Sequence, residues 1–372
     1  MNVVFLSNYF NHHQKPISEE LYKLLGNDYC FIETTSISEW RKQLGWGIDQ
    51  MPSYVILNDE FNKNKEKYER IICDADVLIT GAAPTGLLQK RIQEGKLIIK
   101  YSERFLRKGI ELHKYPLRWF RLHKNNPKKK PIFMLCSGAY VSRDYARFGL
   151  FKGKCYKWGY FPKTEHYEDV EKVILEKKKN SIVWVSRFIK LKHPEYPIKL
   201  AKKLKKEGYS FEINMIGNGE LLEKYQKKVK KEGLSDCVHL LGAMTPEEVR
   251  THMKKSEIFI FTSDKREGWG AVLNEAMNSA CVPVSNVRIG ATPYLVKHGE
   301  NGFNYSGINE FYKRVIFLLN NSKQRSLMAK EAYKTILSEW NAENAAKQLL
   351  KLVDAITTGK DLEINRGPCS KA

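Results

Sequence analysis

Residues 258–284 read IFIFTSDKREGWGAVLNEAMNSACVPV. An apolar run at Ile258–Phe261 precedes a glycine-rich stretch, and a second apolar run begins at Cys281. Between these runs, Glu267 and Glu275 stand eight residues apart and flank the segment in which a helix is expected to begin. The order strand, loop, helix and strand predicts a parallel β-α-β unit whose loop lies at the carboxyl ends of the strands.

The spacing of the two glutamates limits the chemistry that they can perform together. If Glu275 lies on the helix, it is about 12 Å from Glu267 at a rise of 1.5 Å per residue. Paired carboxylates that cut a glycosidic bond lie only about 5 to 9.5 Å apart. Glycines let a ligand approach the backbone, and a helix N-terminus favours phosphate. The pair therefore predicts one elongated ligand held at two points, with its phosphates between them.

Short apolar strands alternate with helical segments along all 372 residues, which gives room for two domains with parallel sheets. In the first half we expect strands at 2–6, 29–33, 53–57, 76–80, 97–101 and 132–136. In the second half we expect strands at 181–186, 211–216, 237–241, 257–262 and 281–285. The pattern breaks at Tyr160–Lys163, where we place a domain boundary. The expected fold class is α/β, with two Rossmann-like doubly wound domains facing across a cleft.

The expected domain limits follow from these breaks. Residues 1–163 form the N-terminal domain and residues 164–340 the C-terminal domain. Residues 341–358 form a helix that packs back on the N-terminal domain, and residues 359–372 form a mobile tail. Thr245-Pro-Glu-Glu248 predicts a helix start with an N-cap, an N1 proline and a capping-box glutamate.

Composition indicates a globular protein and places it in the cytoplasm. The chain is 42% hydrophobic and 28% charged, and no apolar run approaches the roughly 18 residues that span a bilayer. The opening residues lack a basic leader and predict a buried first strand instead. The seven cysteines contain no CxxC pair, which predicts reduced thiols and no zinc site.

The net charge of +21 is concentrated in one stretch. Residues 100–164 carry about +14 by count, whereas residues 1–99 carry about −2. Within 104–130, cations alternate with large apolar side chains such as Trp119 and Phe120. This pattern is typical of a helix on an anionic membrane surface. A solvated lysine-rich face is the alternative, and nucleic-acid binding is not expected, because no RRM, KH or helix-turn-helix pattern is present.

Residues 263–303 resemble the donor-site signature of the retaining GT-B glycosyltransferases of family 4, the glycosyl transferases group 1. The matching residues are Ser263, Glu267-Gly-Trp-Gly270, Leu273, Glu275-Ala-Met277, Pro283-Val284, Gly290 and Gly299-Glu-Asn-Gly-Phe303. In that family the first glutamate contacts hydroxyls of the donor sugar and the second binds the nucleotide ribose. The resemblance assigns these roles to Glu267 and Glu275. It covers the C-terminal half closely and the N-terminal half only in layout.

The resemblance also implies the rest of the donor site. An arginine and a lysine five residues apart, here Arg187 and Lys192, contact the donor diphosphate in the family, and cations at that point stabilise a departing phosphate. His193-Pro194 stands where the family usually has glycine. The catalytic candidates are therefore Arg187, Lys192 and Glu267. The implied donor-binding residues are Gly217, Gly219, Gly242, Gly268, Trp269, Gly270, Glu275 and Gly290.

The acceptor side is less defined. His12 and His13 lie in the loop after the first strand, and Glu103 follows another strand where relatives place a histidine. These three are candidates for acceptor contacts, with a solvated or structural role as the alternative. Asp74-Ala-Asp76 spells the DxD of metal-dependent glycosyltransferases but precedes its strand, away from the carboxyl-end cleft. We therefore expect no metal ion and no cofactor other than the nucleotide sugar substrate.

The resemblance implies a metal-independent hexosyltransferase that works with retention of configuration. The donor is a nucleoside diphosphate sugar. The basic 104–130 segment suggests a lipid-linked acceptor, as in capsule, exopolysaccharide or lipopolysaccharide synthesis, and a peripheral position on the inner face of the cell membrane. Two alternatives remain: a nonhydrolysing nucleotide-sugar epimerase of the same fold, and a noncatalytic basic protein that binds membranes or nucleic acid. The sequence does not identify the sugar, the base, the linkage or the oligomeric state.

Overall fold

The computed structural model describes residues 1–38, 47–48 and 50–372. They form two compact units. The first contains Met1–Lys163 together with Asn341–Ala372, and the second contains Thr164–Trp340. Each unit is built around a parallel β-sheet, which confirms the α/β fold class.

The first unit has a seven-stranded sheet in the order β3-β2-β1-β4-β5-β6-β7. Its strands are Val3–Ser7 (β1), Tyr29–Glu33 (β2), Val55–Ile56 (β3), Val77–Thr80 (β4), Ile98–Ser102 (β5), Ile132–Ser137 (β6) and Cys155–Trp158 (β7). All neighbouring pairs are parallel. Strand β1 is buried along its whole length, as expected for a central strand covered on both faces. The order reverses between β1 and β4, where doubly wound sheets place their ligands.

Helices connect and cover these strands. Those of the first unit are Lys15–Leu25, Asn58–Lys63, Lys65–Asp74, Gln89–Glu94, Tyr115–Asn125, Val141–Ala146 and Ala342–Thr358. Short 3-10 turns lie at Gly26–Asp28, Thr85–Leu88 and Leu112–Lys114. The last helix, Ala342–Thr358, packs against Lys15–Leu25. The helix Tyr115–Asn125 differs from the others of comparable length because none of its residues is buried.

The second unit has a six-stranded sheet in the order β10-β9-β8-β11-β12-β13. Its strands are Ser181–Val185 (β8), Glu212–Ile216 (β9), Val238–Gly242 (β10), Ile258–Phe261 (β11), Val282–Asn286 (β12) and Phe303–Tyr305 (β13). Its helices are Val170–Leu175, Glu195–Lys206, Leu222–Lys231, Pro246–Lys255, Val272–Asn278, Thr292–Leu295, Ile308–Asn320 and Ser322–Ser338, with a 3-10 turn at Lys190–Lys192. The capping box predicted at Thr245 and Glu248 is confirmed, because each side chain bonds the other residue's backbone N–H.

Burial explains why the quoted stretch forms a central strand. All four residues of Ile258–Phe261 are buried, and β11 pairs with β8 on one side and β12 on the other. A strand with neighbours on both edges and helices on both faces needs apolar side chains in both directions. The loop after β11 is thereby held at the carboxyl edge of the sheet. None of the helices that the structure describes is long and apolar enough to cross a membrane.

The expectation of a mobile tail at 359–372 is corrected by the structure. Cys369 and Ser370 are buried, and Lys371 forms an antiparallel bridge with Tyr156 of β7. The backbone N–H of Cys369 donates to the carbonyl of Lys157 at 2.7 Å. The tail thus covers the open edge of the sheet, where unpaired backbone groups require partners. The segment has no hydrophobic periodicity in sequence, because only a few of its residues form backbone hydrogen bonds with β7.

Deleting residues 367–372 is expected to lower the stability of the first unit by about 2 kcal/mol or more, because a buried cysteine and backbone hydrogen bonds to β7 are lost. Chemical denaturation followed by Trp fluorescence measures the change. The control is Glu363→Ala, which alters an exposed side chain of the same tail. An unchanged denaturation midpoint for the deletion would show that the tail does not contribute to folding.

Candidate functional site

Polar side chains gather where two neighbouring strands of the second unit end. Arg187 and Lys192 follow β8, and Glu267 follows β11. Strands β8 and β11 are paired in parallel, so their carboxyl ends meet at one edge. The Lys192 ammonium forms an ion pair with the Glu267 carboxylate. Their side chains are only 12% and 15% exposed, so solvent screens this pair less than a surface pair.

A chain of hydrogen bonds fixes the backbone that carries Lys192. The Lys192 carbonyl accepts from the Thr262 hydroxyl at 2.6 Å. The same hydroxyl accepts from Nε1 of the fully buried Trp184 at 2.8 Å. The N–H of Asp264 donates to the carbonyl of Leu191 at 3.0 Å. The two loops that carry the lysine and the glutamate are therefore tied together through main chain as well as through their charges.

The glycines after β9 allow close packing against the loop after β8. A Cβ at Gly217 would lie 2.0 Å from the Ser186 carbonyl oxygen, and one at Gly219 would lie 2.7 Å from that of Phe188. Both glycines have positive φ, at 138° and 151°. The Phe188 N–H donates to the Asn218 carbonyl at 2.8 Å. The structure thus gives Gly217 and Gly219 a supporting role for the segment that presents the exposed Arg187.

The Glu267 loop turns into its helix through Gly270. This residue has a φ of 90°, and a Cβ there would lie 2.5 Å from Cζ of Phe261 and 3.4 Å from Cγ of Glu267. Only glycine adopts this conformation without strain and avoids a clash with the Phe261 ring. Gly268 and Gly290 are buried, and the Gly242 carbonyl accepts from the Gly217 N–H at 2.7 Å.

The side chain of Trp269 points into the core of the second unit, so any contact that this residue makes with a donor would come from its main chain. It is fully buried, and its Nε1 donates to Oδ1 of Asn274 at 2.9 Å. Its ring packs against Trp340 and Tyr294, with centroids 5.7 and 6.2 Å away. The motif tryptophan therefore anchors the loop in the core of the second unit. Its position between two glycines gave no sign of which way the ring points.

Glu275 lies on the helix Val272–Asn278 and faces a cation. Arg250 Nη2 lies 3.9 Å from its carboxylate, and Nη1 of the same guanidinium lies 3.8 Å from Glu165. Lys254 pairs with Glu165 at 2.6 Å. Burial raises the pKa of Glu275 above its usual range, and the charge of Arg250 opposes that rise. The sequence gave no signal for Arg250 or Glu165, because both lie outside the recognised motif.

The first unit contains a separate cavity of about 410 Å³ at the carboxyl ends of β1, β4 and β5. It lies where the strand order reverses. Its lining residues are Ser7, Asn8, Tyr9, Asn11, His13, Gln14, Gly81, Ala82, Tyr101, Ser102, Glu103 and Tyr160. The structure therefore brings together two of the acceptor-side candidates, His13 and Glu103. The third, His12, is not part of the lining, but its ring contacts that of His13.

The cavity has an aromatic and mostly neutral wall. Burial, with a smaller contribution from His12, lowers the pKa of His13 to about 3, so its imidazole is uncharged at neutral pH. The Tyr160 ring stacks on His13 with centroids 5.5 Å apart. Tyr101 packs tightly at the base of the cavity. Its hydroxyl lies 3.0 Å from Oγ of Ser7, and a Cβ at Gly81 would lie only 2.2 Å from its Cζ. Tyr101 and Tyr160 were missed by the sequence analysis, since neither belongs to a motif.

The Asp74-Ala-Asp76 sequence lies at the amino end of β4. Asp76 accepts from the Asn2 N–H at 2.8 Å, and Asp74 pairs with Lys96 at 3.1 Å. Both carboxylates therefore have structural partners away from the carboxyl edge of the sheet. Within residues 1–38, 47–48 and 50–372, no group of three or more His, Cys, Asp or Glu side chains could hold a metal ion.

The fold matches that of known proteins. The two sheets have the GT-B architecture: the protein resembles Alr3699/HepE of Anabaena, crystallised with UDP, at a TM-score of 0.70 and 12% identity, covering 95% of this chain and all of that one. It also resembles the pneumococcal O-GlcNAc transferase GtfA, crystallised with UDP and GlcNAc, at a TM-score of 0.69 and 10% identity, covering 96% and 99%. Identities this low establish the fold alone.

Sequence similarity identifies the second unit more closely. Residues 167–335 match the family model "Glycosyl transferases group 1". A 127-residue stretch is 29% identical to the amylovoran biosynthesis glycosyltransferase AmsK of Erwinia amylovora. That stretch spans 33% of this chain and 31% of AmsK.

Replacing Arg250 with methionine is expected to raise the pKa of Glu275 further, because a favourable cation is removed from a partly buried carboxylate. A carboxylate whose folded pKa is raised stabilises the fold at acidic pH and loses that contribution as pH rises above its unfolded value. The variant should therefore lose most stability at neutral and alkaline pH. Carboxyl ¹³C NMR titration of Glu275 measures the pKa directly. Arg314→Met is the control, since Arg314 pairs with another acid, Glu310. An unchanged Glu275 titration would exclude the coupling.

Proposed function

We propose that this protein is a glycosyltransferase that moves a hexose-type sugar from a nucleoside diphosphate donor to an acceptor hydroxyl. The observation that carries the proposal is the contact between Lys192 and Glu267 at the carboxyl ends of β8 and β11. It lies in a domain that matches the glycosyl transferases group 1. A cation beside an acid suits a ligand that has a diphosphate next to a sugar.

The residues divide between the two parts of the donor. Lys192 and the exposed Arg187 contact the diphosphate and stabilise the negative charge that develops on it as the sugar departs. Glu267 accepts hydrogen bonds from sugar hydroxyls, and Glu275 accepts them from the ribose. Arginine forms two parallel bonds to phosphate oxygens, whereas lysine acts as a point charge. The main chain around Gly217, Gly242 and Gly290 borders the nucleotide.

Binding of the donor separates the ion pair between Lys192 and Glu267. Without ligand, Lys192 and Glu267 neutralise each other in a partly buried position. A bound donor offers phosphate oxygens to Lys192 and hydroxyl groups to Glu267, so neither charge is left unpaired when they separate. The reaction proceeds with retention of anomeric configuration, and the leaving phosphate accepts the acceptor's proton on the front face. Lys192 and Arg187 supply the charge stabilisation that a metal ion provides in other transferases.

The acceptor is proposed to bind in the cavity of the first unit. A neutral His13 and the rings of Tyr101 and Tyr160 offer flat apolar surfaces and hydrogen-bonding groups but no cation. Such a wall suits a hydroxyl-bearing sugar better than a phosphate. Glu103 lies in the same wall and is proposed to hold an acceptor hydroxyl. A lipid-linked glycan of capsule, exopolysaccharide or lipopolysaccharide synthesis fits this cavity together with the surface described next.

An exposed apolar and basic surface on the helix Tyr115–Asn125 and the turn before it supports membrane attachment. Leu112, Leu117 and Phe120 are 81%, 72% and 63% exposed. The same turn and helix carry the basic side chains of Lys114, Arg118, Arg121 and Lys124. Apolar side chains beside cations favour insertion into an anionic bilayer surface. We propose that this surface holds the protein on the inner face of the cell membrane, near a lipid-linked acceptor.

Glu267→Gln is expected to lower transfer by at least about 100-fold, because a neutral amide accepts hydrogen bonds to sugar hydroxyls more weakly than a carboxylate and leaves Lys192 without its partner. The measurement is release of nucleoside diphosphate from a panel of UDP-, GDP-, ADP- and dTDP-sugars, after thermal-shift screening for the donor that binds. Glu310→Gln, on the helix Ile308–Asn320, is the matched control, since Glu310 pairs with Ser306 and Arg314 rather than with Lys192.

Three outcomes would contradict the proposal. If no nucleotide sugar shifted the melting temperature or released nucleotide, the protein would not be a transferase of this type. If an epimer of the donor appeared without an acceptor, the epimerase alternative would hold. If Glu267→Gln transferred at the wild-type rate, the donor site would lie elsewhere.

Changing Leu117 and Phe120 to serine is expected to weaken binding to liposomes that contain anionic lipid by at least about 100-fold, because each of the two exposed side chains contributes about 1.5 to 3 kcal/mol when it leaves water. Flotation with phosphatidylglycerol vesicles measures it, with phosphatidylcholine vesicles for comparison. Leu175→Ser is the control, since Leu175 is 83% exposed in the other unit. Equal flotation of the double variant and the wild type would exclude this surface.

A further inference from the structure

His193 connects the two loops that carry Lys192 and Glu267. It follows the 3-10 turn Lys190–Lys192 and precedes the helix Glu195–Lys206. Its Nδ1 lies 2.7 Å from a carboxylate oxygen of Glu195, and its Nε2 lies 3.3 Å from one of Asp264. We propose that protonated His193 is a positioning residue that holds the Lys192 and Glu267 loops in the geometry that binds the donor diphosphate, so that donor affinity falls as pH rises. This inference rests on the proposed function.

The hydrogen-bond chemistry of the ring requires the protonated state. Carboxylates of ionised acids only accept hydrogen bonds, and both nitrogens of His193 face such oxygens. A neutral imidazole has one N–H and satisfies one of the two acids, whereas an imidazolium donates to both. Loss of the proton therefore leaves one lone pair facing a carboxylate oxygen and breaks one side of the bridge.

Asp264 transmits this contact to the glutamate. Its carbonyl accepts from the Glu267 N–H, and its own N–H donates to the Leu191 carbonyl, both at 3.0 Å. Its carboxylate also binds Arg266 Nη2 at 2.6 Å. One acid thus joins the histidine, the residue before Lys192 and the backbone of Glu267. A shift of Asp264 moves the residue that we propose to contact the donor sugar.

The backbone conformation explains why this bridge matters at His193. Its φ is 51°, in the left-handed region that glycine adopts readily and histidine rarely does. In this chain the two carboxylate contacts offset the unfavourable backbone, and they do so only while the ring is charged.

The surrounding charges set the direction of the pH dependence. The ring is 28% exposed, and Tyr196 lies against it at 5.3 Å between centroids. The neighbouring ionisable groups are Lys192, Glu195, Tyr196, Lys199, Tyr225, Asp264, Arg266 and Arg288. The hydrogen bond with Glu195 raises the pKa of His193 above its usual value, with Asp264 adding to this against partial burial. The bridge is therefore complete at acidic pH and is lost as pH rises through the raised pKa.

The test measures UDP affinity of the full chain by calorimetry from pH 6 to pH 9, with pyrophosphate as a probe that lacks a base. For the wild type, we expect a dissociation constant about tenfold higher at pH 9 than at pH 6, the change that one pKa unit of coupling produces. The side chain in His193→Gln cannot carry a charge. For this variant we expect weak UDP binding at both pH 6 and pH 9, with no rise in the dissociation constant between them. His252→Gln, on the helix Pro246–Lys255, is the control and corrects for titration of the phosphate itself.

A ligand-free measurement keeps the inference testable if His193→Gln folds poorly. The ¹H NMR titration of His193 should give a pKa above 6.5 in the wild type and a lower one in Asp264→Asn, which preserves the shape of the acid but removes its charge. A pKa at or below the usual value would overturn the inference, as would an identical pH profile of UDP binding in wild type and His193→Gln. If the wild type bound neither UDP nor any nucleotide sugar at any pH, the donor proposal itself would fail and this inference with it.

Discussion

The ion pair between Lys192 and Glu267 is the constraint on which the rest of the second unit's site depends. Neither group is stable alone in a partly buried position, so each needs the other until a ligand replaces it. To bring them together, β8 and β11 must be neighbours and their loops must meet at one edge. Three features hold these loops in position: the positive φ of Gly270, the burial of Trp269 and the packing of Gly217 against Ser186.

Glu275, the second glutamate of the motif, has a different cation as its partner from Glu267. Glu275 is partly buried and has Arg250 as its cation, while Glu267 has Lys192. Each carboxylate is thus poised beside a positive charge, but only the Lys192 pair lies where we place the diphosphate. This difference fits the proposed roles, in which Glu267 contacts the sugar beside the phosphates and Glu275 contacts the ribose.

Sequence analysis predicted the parts that depend on local pattern. The buried strands are visible as apolar runs, and the capping box at Thr245 is visible as a residue pattern of fixed spacing. It did not predict the edge strands β7 and β13. It also missed the direction of the Trp269 ring, the contact of Arg250 with Glu275 and the docking of Cys369. These depend on residues far apart in the chain, and no local spacing records them.

Hydrogen-exchange mass spectrometry of the full chain, with and without the donor nucleotide, tests the central claim most directly. If the Lys192 and Glu267 loops form the donor clamp, ligand should slow exchange in residues 186–193, 216–219 and 263–275, because bound ligand restrains the backbone that carries the contacts. The basic helix Tyr115–Asn125 should exchange at an unchanged rate. Protection confined to that helix or to the first unit, with none in these three segments, would contradict the account.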